Sequence, residues 1–262
     1  MQALHTAATG MAAQELNVQV ISNNIANLRT TGYKKQRAAF QDLIYDHVRR
    51  VGAQASDQGT ILPVGVDIGG GVKTVGTPRL MTQGTLSQTG NDLDIAIRGE
   101  GFFKIQMPDG TYTYTRDGSF QMDAQGRVVT AQGNPVQPTI TIPQNASGLT
   151  INAQGQLSVT LPGSTTPTTV GQIGLTRFIN KAGLNPIGDN LFTDTPASGT
   201  PQDGIAATDG YGDMQQSNLE QANVEVVTEI SDLIAAQRAY EMNAKVVSAA
   251  DQMLQSTSAM FR

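Results

Sequence analysis

The chain contains no cysteine and no tryptophan, and only 5% of its residues are aromatic and 15% charged. Without cysteine there is no disulfide, no thiol nucleophile and no thiolate metal site. Without tryptophan, and with seven Phe and six Tyr spread over 262 residues, the aromatic platforms of a carbohydrate binder are hard to assemble. No stretch approaches the ~20 apolar residues that a membrane-spanning helix requires. The N-terminus has no basic stretch leading into an unbroken apolar core, so no cleavable leader is expected. The net charge of −5 and a pI near 5.0 argue against general attraction to nucleic acid or anionic membrane. Hydrophobic residues, at 39%, are few for a self-contained globule of this length. The surface this implies is rich in amides, hydroxyls and glycine. Such a surface suits contact between copies of one protein, because no like charges meet.

What is present is organised by period. Leu4, Ala7, Met11, Val18, Ile21, Ile25 and Leu28 recur at steps of three and four, as do Val226, Ile230, Leu233, Tyr240, Ala244, Val247 and Leu254. This spacing predicts a narrow apolar seam on each of two helices, one at each end, paired as a coiled coil. The first, Met1 to about Leu28, would be ~40 Å long at ~1.5 Å per residue. Glu15 is its only formal charge, where a solvent-washed helix would alternate Lys and Glu. The reading is a segment that is disordered alone and helical once packed. Asn27, Thr30, Thr31 and Gly32 end it, with Gly32 placed to take a positive φ. Tyr33, Lys34, Lys35 and Arg37 form a small basic patch, expected to be solvated or to face a neighbouring subunit. Ala39, Phe40, Leu43, Ile44 and Val48 predict a short helix over 37–50, and 51–80 reads as an extended arm.

From Leu86 the period becomes two. Leu93, Ile95 and Ile97 alternate, then Phe103, Ile105 and Met107. Turns follow at Asp109-Gly110, Asp117-Gly118, Gln125-Gly126 and Gln132-Gly133, and short runs continue to Leu175, predicting a Gly- and Thr-rich meander of hairpins. Asp123 to Gly126 and Asn152 to Gly155 are near copies, read as turns and not as calcium loops, which need more oxygen ligands and a closing Glu. The fold class is therefore α+β. Its expected parts are 1–29 (first helix), 30–80 (short helix and arm), 81–215 (β domain) and 216–262 (second helix).

Catalytic constellations are missing. His5 and His47 lack a second ligand at helical spacing. No Gly-x-Ser-x-Gly elbow occurs. Gly69 to Thr74 fails as a phosphate loop because Val72 separates Gly71 from Lys73 and no strand-to-helix context surrounds it. Asp92 and Asp94 could face one way as a glycosidase pair, but surface acids fit such polar turns better. Asn145-Ala-Ser147 is a sequon by form only. No cofactor, no metal, no nucleic acid and no membrane insertion are expected.

The blocks SNNIANLRTTGYK (Ser22 to Lys34), GNDLDIAIRGEGFF (Gly90 to Phe103), YTRDGSF (Tyr114 to Phe120), SNLEQANV (Ser217 to Val224) and IAAQRAYE (Ile234 to Glu241) resemble, in order, the bacterial flagellar rod and hook protein family. Chain length, Leu62-Pro63 and Gly69 to Val72 are most similar to its distal-rod branch. The resemblance implies a non-enzymatic subunit that leaves the cell unfolded through the flagellar type III export apparatus. It implies polymerisation across the periplasm into a hollow helical tube, touching proximal rod, hook-side and ring proteins. A proximal rod or hook subunit is the alternative within the family, and a secreted β-domain carbohydrate binder or hydrolase the alternative outside it. Candidate assembly residues are Leu4, Met11, Val18, Ile21, Ile25, Asn27, Leu28, Gly32, Tyr33, Val226, Ile230, Leu233, Tyr240, Val247 and Leu254.

Overall fold

The computed structural model describes residues 2–49, 64–163 and 166–260. They fall into two compact units. The first comprises 1–25, 36–78 and 225–262, and the second 26–35 and 79–224. Of the arm expected over 51–80, residues 51–63 lie outside the described residues.

In the first unit, helix α1 (Gln2–Ala26) packs on helix α2 (Val226–Met260). Moving fourteen residues along α1, from Asn24 to Gly10, moves fourteen the other way along α2, from Glu229 to Asn243, so the helices are antiparallel. Asn24 Nδ2 donates to Glu229 Oε2 at 3.1 Å and to the Gln36 carbonyl at 2.9 Å. The Gln36 N–H returns a 2.9 Å bond to Asn24 Oδ1. At Gly10 a Cβ would stand 2.9 Å from Asn243 Nδ2, so the helices approach closely there. The shared strip is thin: α1 buries Ala7, Ala13, Val20, Ile21 and Asn24, and α2 buries Glu229, Ala236 and Ala250.

The helix expected over 37–50 is corrected. Ala39–Asp42 and Tyr45–Arg49 are strands. They pair antiparallel with Val72–Gly76 and Val66–Gly69 as one nested two-stranded ribbon, joined across the break by Leu43 N–H to Gly71 O (2.8 Å) and Gly70 N–H to Ile44 O (3.1 Å). Short apolar runs satisfy either period, and here the return strand decides. Val66, Ile68, Val72 and Val75 supply that partner at long range. The ribbon lies on α1: Val72 N–H donates to Thr9 Oγ1 at 3.4 Å, Gln2 Nε2 reaches Asp46 Oδ2 at 3.1 Å, and a Cβ on Gly71 would strike Thr9. Part of the uncharged face of α1 is thus covered within one chain.

The second unit is β-rich. A five-stranded sheet runs in the order Val136–Gln137, Phe103–Gln106, Tyr112–Thr115, Leu191–Thr193, Asn185–Gly188. Gly148–Ile151, Gln156–Thr160 and Thr168–Gln172 form a three-stranded meander. Strand pairs also join Ile95–Arg98 to Asp213–Gln216, Gly174–Arg177 to Gln202–Ile205, and Leu86–Gln88 to Asn218–Glu220. Local hairpins therefore exist as read, but the five-stranded sheet takes strands from distant stretches and is not one continuous meander. Thr139 to Ile142, one of the short runs read as continuing the hairpins to Leu175, makes only an isolated bridge at Thr141. The core gathers Ile95, Ile97, Phe103, Ile105, Phe120, Leu157, Ile173 and Leu175, all essentially inaccessible. A second cluster sets Phe102, Tyr114, Phe178 and Phe192 edge to face.

The near-copied turns are structural copies. Asp123 and Asn152 each accept backbone N–H bonds from residues two and four ahead. Gly126 O then accepts from Ile142 N–H at 2.7 Å, and Gly155 O from Ile173 N–H at 2.8 Å. Asp94 is also a turn builder: Thr89 Oγ1 and Asn91 Nδ2 donate to it at 2.6 and 3.0 Å, and it is buried.

Asp203 ties three strands, accepting from Lys104 Nζ at 2.7 Å and from Thr176 Oγ1. Desolvation pushes its carboxyl up. The hydrogen bonds from Lys104 and Thr176, with the lysine charge, pull it further down, so it sits below its usual value of 3.8. A depressed carboxyl contributes stability that is present above the unfolded value and lost as pH falls through the folded one. Urea midpoints measured against pH are therefore expected to drop below about pH 3.8, and Asp203→Asn is expected to flatten that drop. An identical acid limb in the variant would remove Asp203 from the account.

Candidate assembly surfaces and a buried charge clasp

The basic patch is only partly solvated: Arg37 is exposed and Lys35 half-buried, whereas Tyr33 and Lys34 are buried. Lys34 is 1% exposed, and the loop after α1 turns it inward. Gly32, at φ +68°, makes that turn with a Cα lying against the backbone of Arg116 and Asp117; a Cβ there would stand 2.7 Å from Asp117 N. Lys34 Nζ donates to Glu220 Oε1 at 2.6 Å and to the Thr82 carbonyl at 2.8 Å. Glu220 Oε1 also accepts the Gly84 N–H at 2.9 Å, and Oε2 accepts Arg116 Nη1 at 3.3 Å. Arg116 Nη2 donates to Gly99 O at 2.6 Å, and its guanidinium lies 5.4 Å from the centre of the Phe102 ring. Burial pushes the Lys34 ammonium below the usual lysine range, against the opposing pull of Glu220, and lowers Arg116 for the same reason.

Backbone bonds braid the same segments. Gly32 N–H donates to Glu220 O at 2.8 Å, Leu80 N–H to Lys35 O at 2.9 Å, and Gln221 N–H to Thr85 O at 2.9 Å. Asn223 completes the braid. Its Oδ1 accepts Lys35 N–H at 2.8 Å and its Nδ2 donates to Leu80 O at 2.8 Å. Four stretches of chain, near 30–35, 79–85, 116 and 218–223, meet at one carboxylate.

The proposed interface residues divide. Ile21 is buried, and Leu4, Met11, Val18 and Ile25 are half-buried along α1. Asn27 and Leu28 are half-buried in the following turn, where Thr30 N–H donates to Asn27 O at 3.0 Å. Gly32 and Tyr33 are buried in the clasp. On α2, Leu233 and Val247 are half-buried, and the register sets Leu233 opposite Val20. Val226, Ile230, Tyr240 and Leu254 are 38–45% exposed. Lys34, Arg116 and Glu220 were not anticipated. The only signal for them was charge lodged inside apolar, Gly-rich blocks.

Nothing in the described residues assembles chemistry. A cleft of about 220 Å³ is lined by Lys104, Tyr112, Pro138, Thr176 and Asp203, and the charges of Lys104 and Asp203 already satisfy one another. No group of three His, Cys, Asp or Glu could hold a metal, and no helix is long and apolar enough to cross a membrane, among the described residues.

Three family models match successive parts of the chain. Residues 4–34 match "Flagella basal body rod protein", 96–159 match "Flagellar hook protein FlgE/F/G D1 domain", and 215–260 match "Flagellar basal body rod FlgEFG protein C-terminal". The chain is 54% identical to the flagellar basal-body rod protein FlgG of Caulobacter vibrioides over 98% of both chains, and 34% identical to that of Bacillus subtilis over 97% of both. The chain belongs to the flagellar basal-body rod protein family. Within it the similarity is to the FlgG, distal-rod type. The FlgF protein of Caulobacter vibrioides is 36% identical over 88% of this chain, a lower identity on a shorter match than the FlgG of the same organism. Members of this family are structural proteins of the flagellum, and this one is a structural subunit of the rod and not an enzyme. The first and third matched blocks carry Lys34 and Glu220, so the two halves of the clasp lie in family-defining sequence.

Removing one partner of a buried ion pair strands the other charge, which typically costs 3–5 kcal/mol. Glu220→Gln strands two. It is expected to lower unfolding free energy by roughly that amount in urea titrations, whereas Arg238→Gln, at an exposed pair, changes it by under about 1 kcal/mol. Equal effects from the two would show the clasp to be energetically idle.

Proposed function

We propose that the chain polymerises into the hollow helical drive shaft of the distal rod, which transmits torque from motor to hook across the periplasm. The reading rests on similarity to rod proteins along nearly the whole chain, together with a helix pair that buries too little to stand alone. A 25-residue and a 35-residue helix share a strip of small residues, while Val227, Ile230, Ile234, Met242 and Val246 of α2 are 45–74% exposed. In a lone subunit that surface would face water; between copies it is buried. Head-to-tail contacts whose rotation does not close give an open filament.

On this reading α1 and α2 form a coiled coil in the tube wall, and the terminal segments gain full order only on docking, which discourages premature polymerisation. Export proceeds by the flagellar type III apparatus. Proximal rod, hook-side and ring proteins are the neighbours. The arm from about Arg29 to Leu80 braces adjacent subunits.

Two measurements bear on this. Limited proteolysis of the free chain is expected to trim both termini and leave a resistant body that still contains Lys34 and Glu220; loss of that body before the helices would contradict the scheme. Deleting Gln54 to Gly65 is expected to make assembled rods bend more under electron microscopy. Unchanged straightness would take the arm out of the mechanism.

A further inference from the structure

Cations in the β-rich unit are mostly answered by acids. Lys34 and Arg116 share Glu220, and Arg98, Lys104, Arg127 and Lys181 each meet a carboxylate of their own. Arg79 is different. Among the described residues its guanidinium donates no hydrogen bond and meets no carboxylate, although the residue is half-buried and its Nε is shut off from water. Burial holds the guanidinium below the usual arginine range, and the opposing pull comes from Tyr33, where a carboxylate would ordinarily supply it.

The side chain is nevertheless held in place. Its guanidinium carbon lies 5.6 Å from the centre of the Phe192 ring, and that ring is packed edge to face on Phe102. The neighbouring backbone is tied twice: Leu80 N–H donates to Lys35 O at 2.9 Å, and Leu80 O accepts Asn223 Nδ2 at 2.8 Å. A ring face attracts a cation but offers its N–H groups no oxygen. The planar fork is thus desolvated and positioned without an acceptor, and a group with two coplanar oxygens fits it. A second copy of the chain brings such groups. With 22 Asp and Glu against 17 Lys and Arg, every copy carries acids that its own bases cannot answer. In a head-to-tail polymer, fork and carboxylate occur in equal numbers on different surfaces of the same chain. A buried donor left unanswered destabilises the free subunit and is satisfied on assembly.

We infer that Arg79 is an assembly residue of the β-rich unit, whose guanidinium receives an Asp or Glu side chain of a second copy of this chain. This inference rests on the rod-subunit reading above. It assigns a directional polar contact to the β-rich body, distinct from any contact made by the terminal helices.

Two full-length variants test it. Removing an unanswered charge spares the free chain, so the urea midpoint of purified Arg79→Met is expected to equal or exceed that of the parent. As the only copy in the cell, the same variant is expected to give severalfold fewer rods by electron microscopy. Arg79→Lys would be expressed beside the unmodified chain, so that mixed rods form, and the isolated rods treated with a carbodiimide. That reagent joins an amine to a carboxylate in contact with it and leaves arginine untouched. The expected product is a two-copy adduct, found in rods and missing from the purified chain, which mass spectrometry traces from position 79 to an Asp or Glu. Should Arg79→Met lose both midpoint and rods, the coupling result decides. A lowered midpoint with normal rods, or coupling that is absent from rods or confined to one copy, would overturn the inference and leave the rod reading standing. Coupling to a different flagellar protein would overturn the assigned occupant. Failure of the unmodified chain to enter rods would overturn both.

Discussion

One carboxylate organises the larger unit. Glu220 is wholly buried, and it answers two cations, Lys34 and Arg116, that burial alone would drive out. Neither cation is offset by Glu220 entirely. The carbonyls of Thr82, Ile97 and Gly99 take further donors, which spreads part of the local positive excess over peptide dipoles, while Arg116 Nε is buried without a hydrogen-bond partner. Such a cluster is a poor source of net stability, because desolvating three charges consumes most of what their attraction returns. Its value lies in discrimination. A one-residue slip of strand Asn218–Glu220 against Leu86–Gln88 would turn Glu220 out and strand both cations. Asn223 reinforces the same register, its amide bridging Lys35 N–H and Leu80 O, because a pairing only three residues long fixes little by itself.

The helix pair is built on the opposite principle. Its close contacts are alanine, glycine and amide, and its best-defined polar contact, Asn24 to Glu229, also holds Gln36. Small residues bring backbones near but remove little apolar area from water, on the order of 25 cal/mol per Å². Longer side chains that would have widened the interface, Ile230, Ile234 and Tyr240 among them, sit on other faces. The same residues cannot serve both the partner within the chain and a neighbour outside it. This arrangement leaves the internal pairing thin and keeps the larger apolar surface for contacts beyond the chain.

How much of this was legible in the sequence depended on range. The terminal helices, the alternation at Leu93 to Ile97 and the Asp123 and Asn152 turns depend on neighbours within a few residues, and each was readable. Gly32 was also readable, because only its own φ had to be foreseen. The ribbon was not. Phe40, Leu43, Ile44 and Val48 fit a helical period as well as a strand, and the deciding partner begins at Val66. Lys34 was misread as solvated for a related reason. Its counter-ion lies 186 residues away, and a basic triplet looks the same whether its first member turns in or out. The α2 seam was half-read: hydrophobicity picked Val226, Ile230 and Tyr240, whereas the contact strip uses Glu229, Ala236 and Asn243. Close helix approach selects for size, and a search for large apolar residues passes over it.

The blocks that carry the family resemblance look different once their contacts are known. Gly32, Tyr33 and Lys34 come from one, Ile97, Gly99 and Phe102 from another, Arg116 from a third, Glu220 and Asn223 from a fourth, and all meet around one carboxylate. Scattered short motifs with no catalytic residue type are therefore the sequence trace of a single buried junction made from distant parts of the chain. Such a junction cannot close until residues beyond 218 have joined the fold. Completion of the β-rich body then depends on nearly the whole chain.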